Sequence, residues 1–134
     1  QLFKYRDERG VLHRIDSAAV NAYLRGIAGC DVSAKHFRTW GGSVMALELL
    51  IRAQGAPRQP ARERVVHEIM KAVARRLGNT VSVCRKCYVH PSIVSAYLRG
   101  GMPARRAAPS QPRGLTAAER RLLAFLVADS AART

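Results

Sequence analysis

A mainly α-helical domain opening on a short extended arm is the fold class that this sequence predicts, on three observations. Apolar residues recur at helical spacing, most clearly Val65, Ile69, Val73 and Leu77, with Val66 and Met70 widening the stripe. Capping side chains stand in front of such segments at Asp16, Ser17, Ser33, Thr80, Ser82 and Thr116, and Gly29, Gly78 and Gly100 stand behind them. Loose strand-like alternation occurs only in residues 1–15, around the polar tetrad Asp7-Glu8-Arg9-Gly10, and reads as a hairpin or extended arm.

The elements follow in order. After Asp16 and Ser17, Val20, Leu24 and Ile27 share one face of a helix ending at Gly29. Ser33 caps a longer helix in which Phe37, Trp40, Val44, Leu47 and Ile51 keep helical spacing, and Gly41-Gly42 marks a kink or a close packing contact. "APRQP" after Gly55 is a turn, and residues 61–77 form the clearest amphipathic helix, with Arg62, Glu68, Lys71 and Arg75 mainly on its other side. A short helix runs from Thr80 or Ser82 through Tyr88, and Pro91 starts another to Gly100. Residues 101–115 read as a Pro/Gly/Arg linker, and "TAAE" at 116–119 has capping-box spacing before a final helix with Leu122, Leu123, Phe125 and Leu126. "AYLRG" occurs at 22–26 and again at 96–100, which reads as two helices ending in similar ways rather than as a repeat.

With 134 residues the chain has room for one small domain. Gln1 in place of Met, followed by Leu2, Phe3 and Tyr5, reads as a start inside a larger fold, hence a fragment. No apolar run reaches membrane-spanning length and no signal-peptide pattern opens the chain, so a soluble cytoplasmic protein, and a monomer, is the expectation. Twenty-three Lys and Arg against nine Asp and Glu give a formal charge of +14. A polyanion is the natural partner, and because the cations are spread over every segment, nucleic acid suits them better than a membrane surface.

Cys84-Arg-Lys-Cys87 is the loudest local pattern, yet a zinc site needs four ligands, and Cys30, His13, His36, His67 and His90 offer no paired spacing. A redox pair would need a strand-to-helix setting on a parallel sheet. Two ordinary thiols, one or both packed, and no metal, is the resulting expectation. The scattered acids give no Asp-x-Asp or Glu-x-x-His pattern for a metal-dependent nuclease, and no Gly-rich phosphate loop offers a nucleotide site, so no cofactor is expected. There remains Tyr88 beside Arg85 and Lys86. A phenol can attack a phosphodiester and later be displaced, provided that cations or hydrogen-bond donors offset the developing charge. Arginine suits the non-bridging oxygens because its planar fork donates two bonds at once. Residue chemistry alone leaves open the alternative, in which Tyr88 is an amphipathic core residue beside a solvated basic face.

Two separated stretches, "VSAKHFRTWGG" at 32–42 and "LGNTVSVCRKCYVHP" at 77–91, resemble the two signature segments of the type IB DNA topoisomerases in the form used by compact bacterial members. The resemblance extends to "LFKYRDERG", "DSAAVNAYLRGIAG" and "GLTAAERRLLAFL", and so over nearly the whole chain. It implies residues 1–100 as the C-terminal part of a topoisomerase IB or tyrosine-recombinase-like catalytic domain, with 116–134 as a helix of that domain. It also implies double-stranded DNA as the partner and a bacterial cytoplasm or nucleoid setting. Tyr88 would be the nucleophile that forms a 3′-phosphotyrosyl link, Arg38 would contact the scissile phosphate, and Asn79, where many relatives carry histidine, would donate to the same phosphate. A further arginine and a lysine general acid of the family lie upstream of "LFKYRD", outside this chain, so an N-terminal portion is an implied partner; neither Lys35 nor Lys86 matches that lysine. His36 stands where relatives often have an acid, and Cys87 where they often have serine. Tyrosine recombinases are the rival reading, although Lys35 occupies the place of their histidine and "GNT" replaces their "GH". A non-catalytic DNA-binding remnant is the other. Of the cations, Lys35, Arg75, Arg76, Arg85 and Lys86 are expected near the DNA backbone, with Arg105, Arg106 and Arg113 as lesser contacts.

Overall fold

A computed structural model of the chain describes residues 3–55, 58–103 and 108–132. They divide into two compact units, 1–37 and 38–134, with the boundary inside one helix.

The first unit opens on an antiparallel hairpin, β1 (Lys4–Arg6) and β2 (Leu12–Arg14), in the register Lys4↔Arg14, Tyr5↔His13, Arg6↔Leu12. Asp7 closes its turn: Oδ1 accepts from the amides of Arg9 and Val11, and Oδ2 lies 2.8 Å from His13 Nε2. The bond to His13 first, then those amides, holds the Asp7 carboxyl below its usual range. Gly10, at φ +79°, supplies the left-handed residue that the turn needs. Helix α1 (Ser17–Ala28) is capped by Asp16, which accepts from Ala19 N, and ends on Gly29 in the αL conformation. No α1 residue is buried, and Tyr23 and Ile27 are 69% and 66% exposed. Helix α2 (Ala34–Arg52) starts in this unit. Its first amide donates to Asn21 Oδ1 at 2.9 Å. Ser33 stands at its start as predicted, but in an altered role: its amide donates to His36 Nδ1 at 3.0 Å. His36 thus takes the acceptor part that an acid plays in a capping box.

The second unit holds the rest of α2, α3 (Gln59–Leu77), α4 (Val81–Cys87), α5 (Pro91–Arg99) and α6 (Ala117–Ala131). Leu47, Leu50, Met70, Val73, Cys84, Ile93 and Leu122 are fully buried in one cluster. The stripe read along α3 is its buried face: Val66, Ile69, Met70 and Val73 all point into that core. The helix starts two residues before the predicted position, because Pro60 fits a first turn whose amides are unpartnered anyway. Arg62 departs from the polar face assigned to it and reaches Leu98 O at 3.0 Å. Thr80, rather than Ser82, caps α4, and Tyr88 lies just past the helix as its C-cap residue.

The pentapeptide reading needs a correction. Gly100 does end α5, in the αL conformation, whereas Gly26 lies inside α1, which continues to Ala28. Helix α6 carries the predicted capping box, Thr116 and Glu119 bonding reciprocally. Trp40 Nε1 donates to Glu119 Oε1 at 3.0 Å, and Arg121 pairs with both oxygens of Glu48 at 2.5 and 2.8 Å, tying α6 to α2. Arg105 and Arg106 of the expected linker lie outside the described residues. Among the described residues no helix is long and apolar enough to cross a membrane.

Candidate active site

The site is built on the C-terminus of α3. A helix leaves its last carbonyls without partners in the helix itself. Here the chain reverses through Gly78 at φ +66°, so that Asn79 N donates to Ala74 O at 2.9 Å and Gly78 N to Arg75 O at 3.3 Å. Leu77 O is satisfied instead by side chains. Arg38 Nη2, from α2, donates to it at 2.5 Å, and Asn79 Nδ2 at 3.2 Å. One carbonyl therefore gathers two side chains that lie 41 residues apart in sequence.

The tyrosine reaches the same place from α4. Thr80 Oγ1 accepts from Val83 N to start that helix, and Tyr88 N donates to Cys84 O at 2.9 Å to end it. Cys84 and Val89 on either side of Tyr88 are buried, so the short connection to α5 is pinned at both ends. His90 then caps α5 with Pro91 in its first turn. The Tyr88 ring, half-buried, lies beneath the guanidinium of Arg38, with Cζ 5.1 Å from the ring centroid. That is within the range of a cation–π contact. Arg38, Asn79 and Tyr88 are thus brought together.

Three neighbours on α2 hold the Tyr88 connection, and only one had a sequence signal. Ser43 Oγ accepts from His90 N at 3.0 Å, and Thr39 Oγ1 donates to Cys87 O at 3.4 Å. At Gly42 the backbones come so close that an added Cβ would stand 2.5 Å from Tyr88 O, whereas at Gly41 it would meet nothing within 4 Å. The Gly-Gly pair marked a close contact; which glycine makes it, and that the contact is with Tyr88, depends on the fold. Ser43, Thr39 and the Leu77 carbonyl carried no signal, since a hydroxyl or a carbonyl acquires such a role only through what packs against it.

The expected DNA contacts fall in two places. Arg75 and Arg76 in the last turn of α3, and Arg85 and Lys86 in the last turn of α4, are exposed in the second unit. Lys35 is exposed in the first turn of α2 and belongs to the first unit. The Cys-x-x-Cys pair is part of the packing: Cys84 is a fully buried free thiol pushed up by burial, and Cys87 is half-buried and free. His13 is engaged with Asp7 and stacked on Tyr5, and no group of three or more His, Cys, Asp or Glu that could hold a metal occurs among the described residues.

Chemically, the arrangement offers a phenol, a guanidinium with five N–H donors of which one is seen on Leu77, and an amide group with two. The guanidinium lies over the phenol ring, and the amide group shares its Leu77 acceptor. No curated protein matches this chain. The family model described as "Eukaryotic DNA topoisomerase I, catalytic core" matches residues 1–100. The chain therefore belongs to the type IB DNA topoisomerase family, and its helical fold with a small N-terminal hairpin is that of a portion of such a catalytic domain.

Proposed function

We propose that this chain carries the nucleophile of a topoisomerase that relaxes supercoiled DNA through a 3′-phosphotyrosyl intermediate, without ATP or metal. The observation that carries this reading is the convergence of Arg38, Asn79 and Tyr88 at the end of α3, with the guanidinium 5.1 Å from the tyrosine ring. The Tyr88 Oη attacks the phosphorus of one strand and loses its proton to solvent water as the O–P bond forms. The P–O5′ bond breaks, its electron pair passes to O5′, and a proton delivered there releases a 5′-hydroxyl. Arg38 and Asn79 donate to the non-bridging oxygens as charge builds on them. The cut strand rotates about the intact one, and attack by the 5′-hydroxyl then restores the phosphodiester and frees Tyr88. One phosphoester replaces another at each step, so no external energy source is consumed.

The proton for O5′ and a second arginine come, on this reading, from an upstream segment of the same enzyme, since neither Lys35 nor Lys86 matches the family's lysine. Arg75, Arg76, Arg85 and Lys86 neutralise DNA phosphates around the site, and Lys35, in the first unit, contacts DNA phosphate as well. The two signature segments favour a compact bacterial enzyme, which we read as a cytoplasmic monomer.

The test is a nicked suicide duplex incubated with the chain, alone and together with its upstream segment, followed by a search for a denaturant-resistant protein–DNA adduct. Tyr88→Phe should abolish the adduct and leave DNA affinity nearly unchanged. Absence of adduct under both conditions sinks the catalytic reading. Neutralising Arg75, Arg76, Arg85 or Lys86 should each reduce the slope of log affinity against log salt by about one for every DNA phosphate left without its cation.

A further inference from the structure

Tyr88 is held from behind by two residues of α2, Gly42 and Ser43, that make no contribution to the chemistry proposed above. Gly42 lies so close to the Tyr88 carbonyl that a Cβ would stand 2.5 Å from that oxygen and 3.2 Å from Leu77 Cδ1. One residue on, the buried Ser43 hydroxyl accepts from the amide of His90 at 3.0 Å. The same helix carries Arg38, one turn earlier, whose guanidinium lies over the Tyr88 ring. A single rigid element thus sets both the arginine and the backbone on which the tyrosine hangs.

We infer that Gly42 and Ser43 are positioning residues for Tyr88, fixing the distance between its phenol and the Arg38 guanidinium. This rests on the catalytic reading of Tyr88 only for its effect on rate; the effect on the tyrosine's position is independent of it. The physical reason is the close approach itself. A methyl at Gly42 meets backbone, which cannot rotate aside as the end of a side chain could, so the 87–90 connection must move away from α2 and carry Tyr88 with it. Loss of the Ser43 hydroxyl leaves the His90 amide without its acceptor and loosens the same connection.

The experiment compares Gly42→Ala and Ser43→Ala with Gly41→Ala, whose added methyl meets nothing within 4 Å. The chain has four tyrosines, so a ¹³C-tyrosine NMR spectrum of the DNA-free protein resolves Tyr88, assigned by Tyr88→Phe, beside the buried Tyr97 as an internal report on the core. The Tyr88 signal should shift in Gly42→Ala and Ser43→Ala but not in Gly41→Ala, with Tyr97 unmoved in all three. Single-turnover cleavage of the suicide duplex should fall about 100-fold in Gly42→Ala and about tenfold in Ser43→Ala, since misplacement by an ångström is enough for such losses, while DNA affinity is kept. Should Gly42→Ala fail to fold, Ser43→Ala decides. An unshifted Tyr88 signal and wild-type cleavage in a variant with a native Tyr97 signal overturn the inference. A wild-type chain that makes no adduct but whose Tyr88 signal responds as expected removes the catalytic reading and leaves the positioning role standing.

Discussion

The same five residues, Ala-Tyr-Leu-Arg-Gly, occur once in each unit of this molecule and have opposite fates. At 96–100 the tyrosine is 3% exposed, its hydroxyl donates to Ala53 O at 2.8 Å, and the glycine ends α5 at φ +74°. At 22–26 the tyrosine is 69% exposed and the glycine sits inside α1, where an added Cβ would meet nothing within 4 Å. Local sequence is held constant, so the difference comes from what surrounds it. Around Tyr97 lie the apolar faces of α2 and α3, and Arg62 extends to Leu98 O and lies close to Gly100. The contrast is general: of the large hydrophobic side chains that are exposed, Phe3, Tyr5, Val11, Leu12, Ile15, Val20, Tyr23, Ile27 and Phe37 are in residues 1–37, against Val83 and Val127 in the rest of the described chain.

Truncating the two tyrosines tests this contrast most severely. Tyr97→Ala should cost about 3–5 kcal/mol in urea unfolding, the range for emptying a large aromatic site, whereas Tyr23→Ala should stay within about 0.5 kcal/mol of wild type. Similar losses at both positions would show that the first unit buries Tyr23 in solution. The glycines give the next largest difference. Gly100→Ala forces a left-handed alanine against the Arg62 guanidinium and should cost about 1–2 kcal/mol, while Gly26→Ala relieves a helix-interior glycine and should gain about 0.5–1 kcal/mol. A gain at both would mean that α5 continues through Gly100.

Removing only the Tyr97 hydroxyl sharpens the comparison further. Tyr97→Phe should cost about 1 kcal/mol, the net value of one hydrogen bond, and Tyr23→Phe nothing measurable. The smallest effect is one of pH and separates the units by a different group in each. The Glu119 carboxyl is lowered by its bonds from Thr116 and Trp40, and the Asp7 carboxyl by its bonds from His13, Val11 and Arg9. A carboxyl with a depressed folded-state pKa contributes stability above its unfolded pKa, about 4, and loses it as pH falls through the folded value. Carboxyl titrations by NMR should show both below their ordinary values, with α6 loosening alongside Glu119 and the hairpin alongside Asp7. Glu119→Gln should remove the pH response of α6 alone.

Much of the helical framework was legible because caps and stripes are local. Asp16, Thr80, Thr116, Gly29, Gly78 and Gly100 act within a few residues of themselves, and the α3 stripe needs only the period of the helix. Phe37 shows the limit: it keeps helical spacing with Trp40 and Val44, yet it is 57% exposed, because spacing states which residues share a face and not what covers it. Ser33 shows another, since a histidine at its third helical position accepts from it in place of an acid. At the site, a resemblance selected Arg38, Asn79 and Tyr88, while residue chemistry alone left Tyr88 between nucleophile and core. The group that gathers Arg38 and Asn79, the Leu77 carbonyl, belongs to the backbone and has no identity in a sequence.

By itself, then, the sequence determined the helices with their ends, the cationic character, and a family membership borne by two signature stretches. The register between those stretches was a matter for the tertiary structure: that Gly42 rather than Gly41 meets Tyr88, that Arg38 lies over its ring, and that one AYLRG is core and the other surface. Caps and periodicity act over one or two turns, whereas each of these contacts joins residues far apart in the chain, and only the packing of α2, α3 and α4 selects among the pairings that local preference leaves equal.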